Sequence, residues 1–221
     1  MGMSVFPLPE GEGQGEGTAV GGTHLTMGRV SHVAEVIESS TTECLAQSYE
    51  LDSAPPLGSL VSVPRTDGAI TIYGVVAAIE TLPLDPARKP IARGRDATTL
   101  QDIHDQHPQL KELFRTEFTF KVLGYEETGG LHHYLPPQPP EIHQLVYVCT
   151  GEQVHMFTNV LTFLPLLLSG RDADEVAGAF LRTAATTRPN PQPFLVQAGK
   201  AAVDLLRGDA PRLNALLARL R

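Results

Sequence analysis

Apolar and polar positions change their spacing once along this chain. Between residues 27 and 153, short runs rich in Val, Ile, Thr, Tyr and Phe recur, separated by Pro-Pro, Asp-Gly and Gly-Gly. Six of these runs predict β-strands, over 28–36, 43–51, 60–63, 70–82, 116–125 and 145–150. From Gly151 the apolar spacing becomes helical, predicting segments at 153–168 with a break at Pro165, then 172–186 with Val176, Ala179, Phe180 and Thr183 on one face, 194–206 and 211–220. The last carries Leu213, Leu216, Leu217 and Leu220 on one stripe, which either packs on the preceding helices or docks on a partner. Short strands with turn chemistry between them predict a small closed barrel or a sandwich. Strands followed by helices then give the α+β class: a six-stranded antiparallel β-barrel with a C-terminal helical domain.

The turn residues sharpen the barrel reading. Pro55-Pro56 forbids ladder hydrogen bonding, and Leu57-Gly58 delivers the chain into Leu60-Val61-Ser62-Val63. Asp67-Gly68 tolerates the positive φ of a tight hairpin. The long run 70–82 holds Gly74 at its centre, the mark of a sharp bend at a barrel corner. Phe118, Phe120 and Val122 alternate onto one face of the fifth strand. Between residues 83 and 115 the strand pattern lapses into a Pro- and Arg-rich insertion. There Thr98 or Thr99 predicts the cap of one short helix, and Pro108 the start of a second. The resulting division is a Gly-rich acidic tail at 1–25, expected to be disordered, a barrel at 26–152 with its insertion at about 83–115, and a helical domain at 153–221.

Several of these elements together resemble a known family. Met27-Gly28-Arg29-Val30, Pro56-Leu57-Gly58-Ser59-Leu60-Val61-Ser62-Val63 and Tyr73-Gly74-Val75-Val76 are similar to the HAS barrel. That is the small N-terminal β-barrel of HerA-like ATPases and of ATP synthase head subunits. Phe120-Lys121-Val122-Leu123-Gly124, Pro139-Pro140, Val146 and Gly151-Glu152-Gln153-Val154 resemble its closing part. The resemblance spans about residues 27–154 and implies a module that holds ring subunits together or engages partners. It departs from the HerA pattern where a P-loop motor would follow. The only Gly-Lys pair, Gly199-Lys200, precedes Ala201 and lacks the glycine five residues earlier that lets backbone N–H groups reach phosphates. No catalytic residue, cofactor or metal ligand is carried over.

Charge narrows the partner classes. The 221 residues carry a formal charge of -8, which disfavours a wholesale nucleic-acid binder. Residues 1–170 hold 9 Lys/Arg against 20 Asp/Glu, whereas 171–221 hold 8 against 5. Arg88, Lys89, Arg93 and Arg95 form the basic cluster of the acidic part. They are candidate contacts for nucleic-acid phosphates or a protein partner; the plainer alternative is a solvated loop balancing nearby acids. Cys44 and Cys149 fall in predicted strands, as buried free thiols or as one disulfide. His104 and His107, spaced by three, and His132, His133 and His143 near the loops lack a recognised metal-ligand spacing. No G-x-S-x-G elbow occurs, and the carboxylates Glu126-Glu127 and Asp172, Asp174 and Glu175 read as turn polarity and helix-start charge.

The chain is therefore expected to be a cytoplasmic, non-catalytic assembly or interaction module without a cofactor. Its expected partner is a protein associated with a HerA-like ATPase or a DNA-processing complex, such as a ring ATPase or nuclease subunit. No membrane segment is expected, since the most apolar run, 160–168, is far below the ~20 residues a spanning helix needs. Two alternatives are a nucleic-acid-binding accessory protein using the basic insertion and a small enzyme with a site between barrel and helices.

Overall fold

A computed structural model describes residues 31–66, 68–87, 89–170 and 172–220. The tail at 1–25, the Met27–Val30 motif, Asp67 of the predicted turn and Arg88 of the basic cluster lie outside the described residues. Among the described residues, seven strands are present: β1 Ala34–Ser39, β2 Glu43–Ser48, β3 Leu60–Pro64, β4 Thr71–Pro83, β5 Phe114–Glu127, β6 Gly130–His132 and β7 Leu145–Val148. Their order is β2-β1-β7-β3-β4-β5-β6, and β2 also pairs with β5. Six strands thus close into an antiparallel barrel, with β6 added outside the ring on β5.

The interior is filled by alternate residues of these strands. Val36, Ala46, Val61, Val63, Ile72, Val76, Phe118, Phe120, Val122 and Val146 form one buried cluster. Phe118, Phe120 and Val122 share the inward face, as their alternation predicts. Beyond Val122 the register slips between Tyr73↔Gly124 and Gly74↔Val122, leaving Leu123 unpaired and turned to the other side of the wall. This bulge falls at Gly74, the predicted bend. A Cβ on Gly74 would stand 2.5 Å from the Phe120 ring, so only glycine lets β4 cross β5 this closely.

The first strand is shifted from its expected span. It begins at Ala34 and runs on through Ser39, paired with Cys44, because Ser40 forms a tight turn that satisfies its own ends. Its hydroxyl donates to Glu43 O at 2.7 Å and accepts from Glu43 N at 3.0 Å. Strand β6 has three residues and too little alternation to be visible in the sequence; the turn at Gly129 folds it back on β5.

Among the described residues, five helices follow β7, after α1 Leu100–Gln106 in the insertion: α2 Gly151–Phe157, α3 Leu164–Leu167, α4 Ala173–Thr186, α5 Gln192–Leu205 and α6 Ala210–Arg219. Thr150 and Gln153 form a capping box at the start of α2. The helices bury a second cluster against the outer wall of β3, β4 and β5, joining Leu60, Tyr73, Val75 and Leu123 to Phe157, Phe163, Phe180, Leu181 and Leu216. Being covered on both faces explains why β3 is apolar almost throughout rather than alternating. On α4 the buried face runs through Ala173, Val176, Ala177, Phe180, Leu181 and Ala184; Thr183, expected on that face, is exposed. The α6 stripe packs inward, with Leu216 and Leu220 buried.

Helix α4 meets the barrel at the Pro-Pro-Leu-Gly element. Gly58 has φ +81°, and a Cβ there would lie 2.5 Å from Phe180 N and 2.6 Å from Ala179 C. The same glycine donates its N–H to Val76 O at 2.9 Å, anchoring the element to β4. Polar straps tie the helices to one another and, through Lys121, to the barrel. Arg212 Nε reaches both carboxylate oxygens of Asp174, and the Arg188 guanidinium donates to Thr158 Oγ1 at 2.7 Å while lying 3.8 Å over the Phe194 ring. Lys121 of β5 donates from Nζ to Ser169, just beyond α3, and burial lowers its pKa from the ordinary lysine value. Among the described residues, no helix is long and apolar enough to cross a membrane.

Candidate interaction site

The insertion sits on a short β-arm. Beyond Glu117, the last β5 residue paired with β2, the pairs Thr81↔Thr116 through Pro83↔Phe114 carry β4 and β5 onward as a two-stranded ribbon. At its tip Leu84 N donates to Leu113 O at 2.9 Å, which closes the neck of the 30-residue excursion between the strands. Arg115 reinforces this neck: its side chain pairs with the buried Glu117 and donates to the carbonyls of Pro83 and Leu84 at 3.3 Å.

The excursion folds by local rules. Thr99 caps α1 by accepting from Asp102 N, while the Asp102 carboxylate accepts from the backbones of Thr98 and Thr99. Those hydrogen bonds hold the Asp102 carboxyl below its ordinary pKa. His107 ends α1, and Pro108 opens a 3₁₀ turn over Pro108–Leu113 that returns the chain to β5. Gly94 packs against α1, where an added Cβ would meet Ile103 Cδ1 at 2.6 Å. The basic residues Arg93 and Arg95 flank Gly94 and are exposed.

Between arm, loop and α1 lies a cleft of about 520 Å³. Leu84, Ile103, Leu110, Leu113 and Phe114 line it together with Ile91, and Lys89 and Arg93 contribute cations. The apolar lining reaches the surface: Ile91 is 70% exposed, and Leu84 and Leu113 are each 51% exposed. Asp85 also lines the cleft and accepts from Ala87 N at 3.0 Å. Among the described residues, Lys89, Arg93 and Arg95 make no ion pair.

Of the four basic residues singled out in the sequence, then, the structure brings Lys89 and Arg93 to one cleft. Arg95 is exposed on the same loop outside the lining, and Arg88 lies outside the described residues. The apolar partners of these cations were not legible beforehand. Leu84, Ile91 and Leu113 are scattered among prolines and charges, and only the chain reversal at the neck assembles them.

The other candidate groups have structural roles. The His133 ring packs against Phe157 and Phe163, and its Nδ1 bonds Thr162 Oγ1 at 2.7 Å. Burial there pulls its pKa below the ordinary histidine value. His132 stacks with Tyr125 and Tyr134, and His143 pairs with Glu35. Cys44 and Cys149 are both free and buried, one in the barrel interior and one under the helices. Burial raises the pKa of both thiols, that of Cys149 to about 12, so neither supplies a thiolate near neutral pH. Gly199-Lys200 lies inside α5, where the glycine faces Leu217 of α6. Glu126 accepts from the Tyr73 hydroxyl at 2.8 Å, and Asp174 and Glu175 pair with Arg212 and Arg219. Among the described residues, no three His, Cys, Asp or Glu side chains are grouped to hold a metal ion.

A second concavity, at the junction of α2, α4 and α5, is lined by His155, Asn159, Arg188 and Gln197. Its arginine is committed to Ala184 O, Thr158 and the Phe194 ring. No protein-family model matches this chain, and no curated protein matches it.

Proposed function

We propose that this protein is a non-catalytic interaction module, in which a HAS-like barrel braced by helices presents the insertion cleft to a partner protein. The observation that carries the reading is the cleft itself: solvent-facing Leu84, Ile91 and Leu113 beside Lys89 and Arg93, which make no ion pair among the described residues, on a ribbon continuous with the barrel strands. Grouped exposed apolar side chains mark interaction surfaces or ligand grooves, and arginine is enriched at such surfaces. The closed barrel and the resemblance of its glycine and proline elements support a setting in a HerA-like ATPase or DNA-processing complex. The partner there would be the ring ATPase or a nuclease subunit.

The test is affinity purification from the native host with full-length protein, a Leu84→Asp/Ile91→Asp variant, and a Val203→Asp control on α5. The expected result is a motor-ATPase or nuclease subunit retained by wild type and control and lost with the cleft variant. Robust ATP hydrolysis by the purified chain would overturn the non-catalytic part of the reading.

A second reading, a nucleic-acid accessory protein, is favoured by the same exposed cations together with Arg95. It predicts DNA binding that weakens with salt and with Lys89, Arg93 and Arg95 changed to Ala. Salt-insensitive behaviour, unchanged in that variant, would remove it.

A further inference from the structure

Resting on the interaction-module reading, we infer that the cleft takes an extended peptide segment of a partner, with two or three apolar side chains flanked by carboxylates. Its lining is apolar at Leu84, Ile103, Leu110, Leu113 and Phe114, and its volume of about 520 Å³ lies in the range of specific binding clefts. Lys89 and Arg93 line the same space. They are unpaired among the described residues, although residues 1–170 hold 20 acids against 9 Lys/Arg. Cations left without partners in so acidic a half are complementary to carboxylates brought from outside.

The open lip decides the form of the ligand. With Ile91 70% exposed and Leu84 and Leu113 each 51% exposed, the cleft opens to solvent along its lip, so a bound segment keeps its backbone hydrated while its side chains enter. Exposed charge pairs contribute little affinity each, so the apolar anchors supply most of it and the cations supply the selection. A nucleic-acid strand fits less well. It would place phosphates against an apolar lining, and Phe114 is the one aromatic residue of the cleft on which a base could stack.

The experiment pans full-length protein against a phage-displayed random dodecapeptide library, then measures the enriched peptides, fluorescein-labelled, by anisotropy. Enriched sequences are expected to combine Asp or Glu with Leu, Ile or Phe. Their affinity is expected to fall about tenfold or more for Lys89→Glu/Arg93→Glu and for Leu84→Asp/Ile91→Asp, and to weaken as salt rises from about 50 to about 500 mM. All altered side chains are exposed, and unchanged melting curves would show that both variants fold. Enriched peptides that are neutral or basic, yet lost with Leu84→Asp/Ile91→Asp, overturn the acidic ligand and leave the module reading standing. Peptides indifferent to both variants overturn both. Tighter binding of a labelled oligothymidylate than of any peptide, lost with Lys89→Glu/Arg93→Glu, also overturns the inference. So does concentration-dependent self-association abolished by the same changes, which would make a second copy the occupant.

Discussion

Replacing Gly58 with Ala probes the joint between barrel and helices at a single methyl group. An L-residue held in the left-handed region costs about 1–2 kcal/mol. The new Cβ would also stand 2.5–2.7 Å from Phe180 N, Ala179 C and Ala179 Cβ, two of them backbone atoms of a packed helix that cannot rotate away. Overpacking of this kind adds about 1–3 kcal/mol. Gly58→Ala is therefore expected to destabilise by about 2–5 kcal/mol, a large share of a typical domain's stability. Gly68→Ala is the matched control, since Gly68 has φ +66° but an added Cβ meets nothing within 4 Å. It should show the strain alone, about 1–2 kcal/mol. Urea denaturation followed by circular dichroism measures both, and the difference between them isolates the helix contact. Equal losses in the two variants would refute the claim that α4 bears on this element.

Three further outcomes follow from the packing. Phe180→Ala empties a fully buried site beside Phe163 and should cost about 3–5 kcal/mol, with barrel and helical probes unfolding together in one transition. For His133 the folded-state pKa is lowered by burial, so the unfolded chain takes up the proton first as pH falls. Its contribution is present above about pH 6.5 and lost as acidity increases through the lowered folded value; His133→Phe should flatten the pH dependence of stability below pH 6.5 relative to wild type. The Leu84→Asp/Ile91→Asp variant, altered only at exposed positions, should change stability by less than about 1 kcal/mol in thermal melts, as surface substitutions usually do.

Much of the barrel was readable because its signals are local. Period-two alternation marks Phe118, Phe120 and Val122, and Gly74 falls where two strands cross too closely for a Cβ. The helical half was readable from its apolar spacing, including the stripe Leu213, Leu216, Leu217 and Leu220. What escaped is set by tertiary contact. Strand β6 exists only because Gly129 returns the chain beside β5, and Thr183 lies outside the buried face of α4 because that face is chosen by the barrel wall. The candidate site was half legible. Charge clustering found Lys89 and Arg93, but Leu84 and Leu113 lie 29 positions apart and meet only through one backbone hydrogen bond at the neck. Gly58 was visible as a turn residue, yet nothing local announces that a helix more than a hundred residues later rests on it.

The claim that the insertion cleft is where this protein meets its partner is tested most directly by site-specific photocrosslinking in the native host. Benzoylphenylalanine placed at Ile91 should yield a discrete protein adduct that disappears with Lys89→Glu/Arg93→Glu, while the same probe at Val203 on α5 yields none. Adducts of equal yield at both positions, or an Ile91 adduct indifferent to the charge reversal, would contradict it.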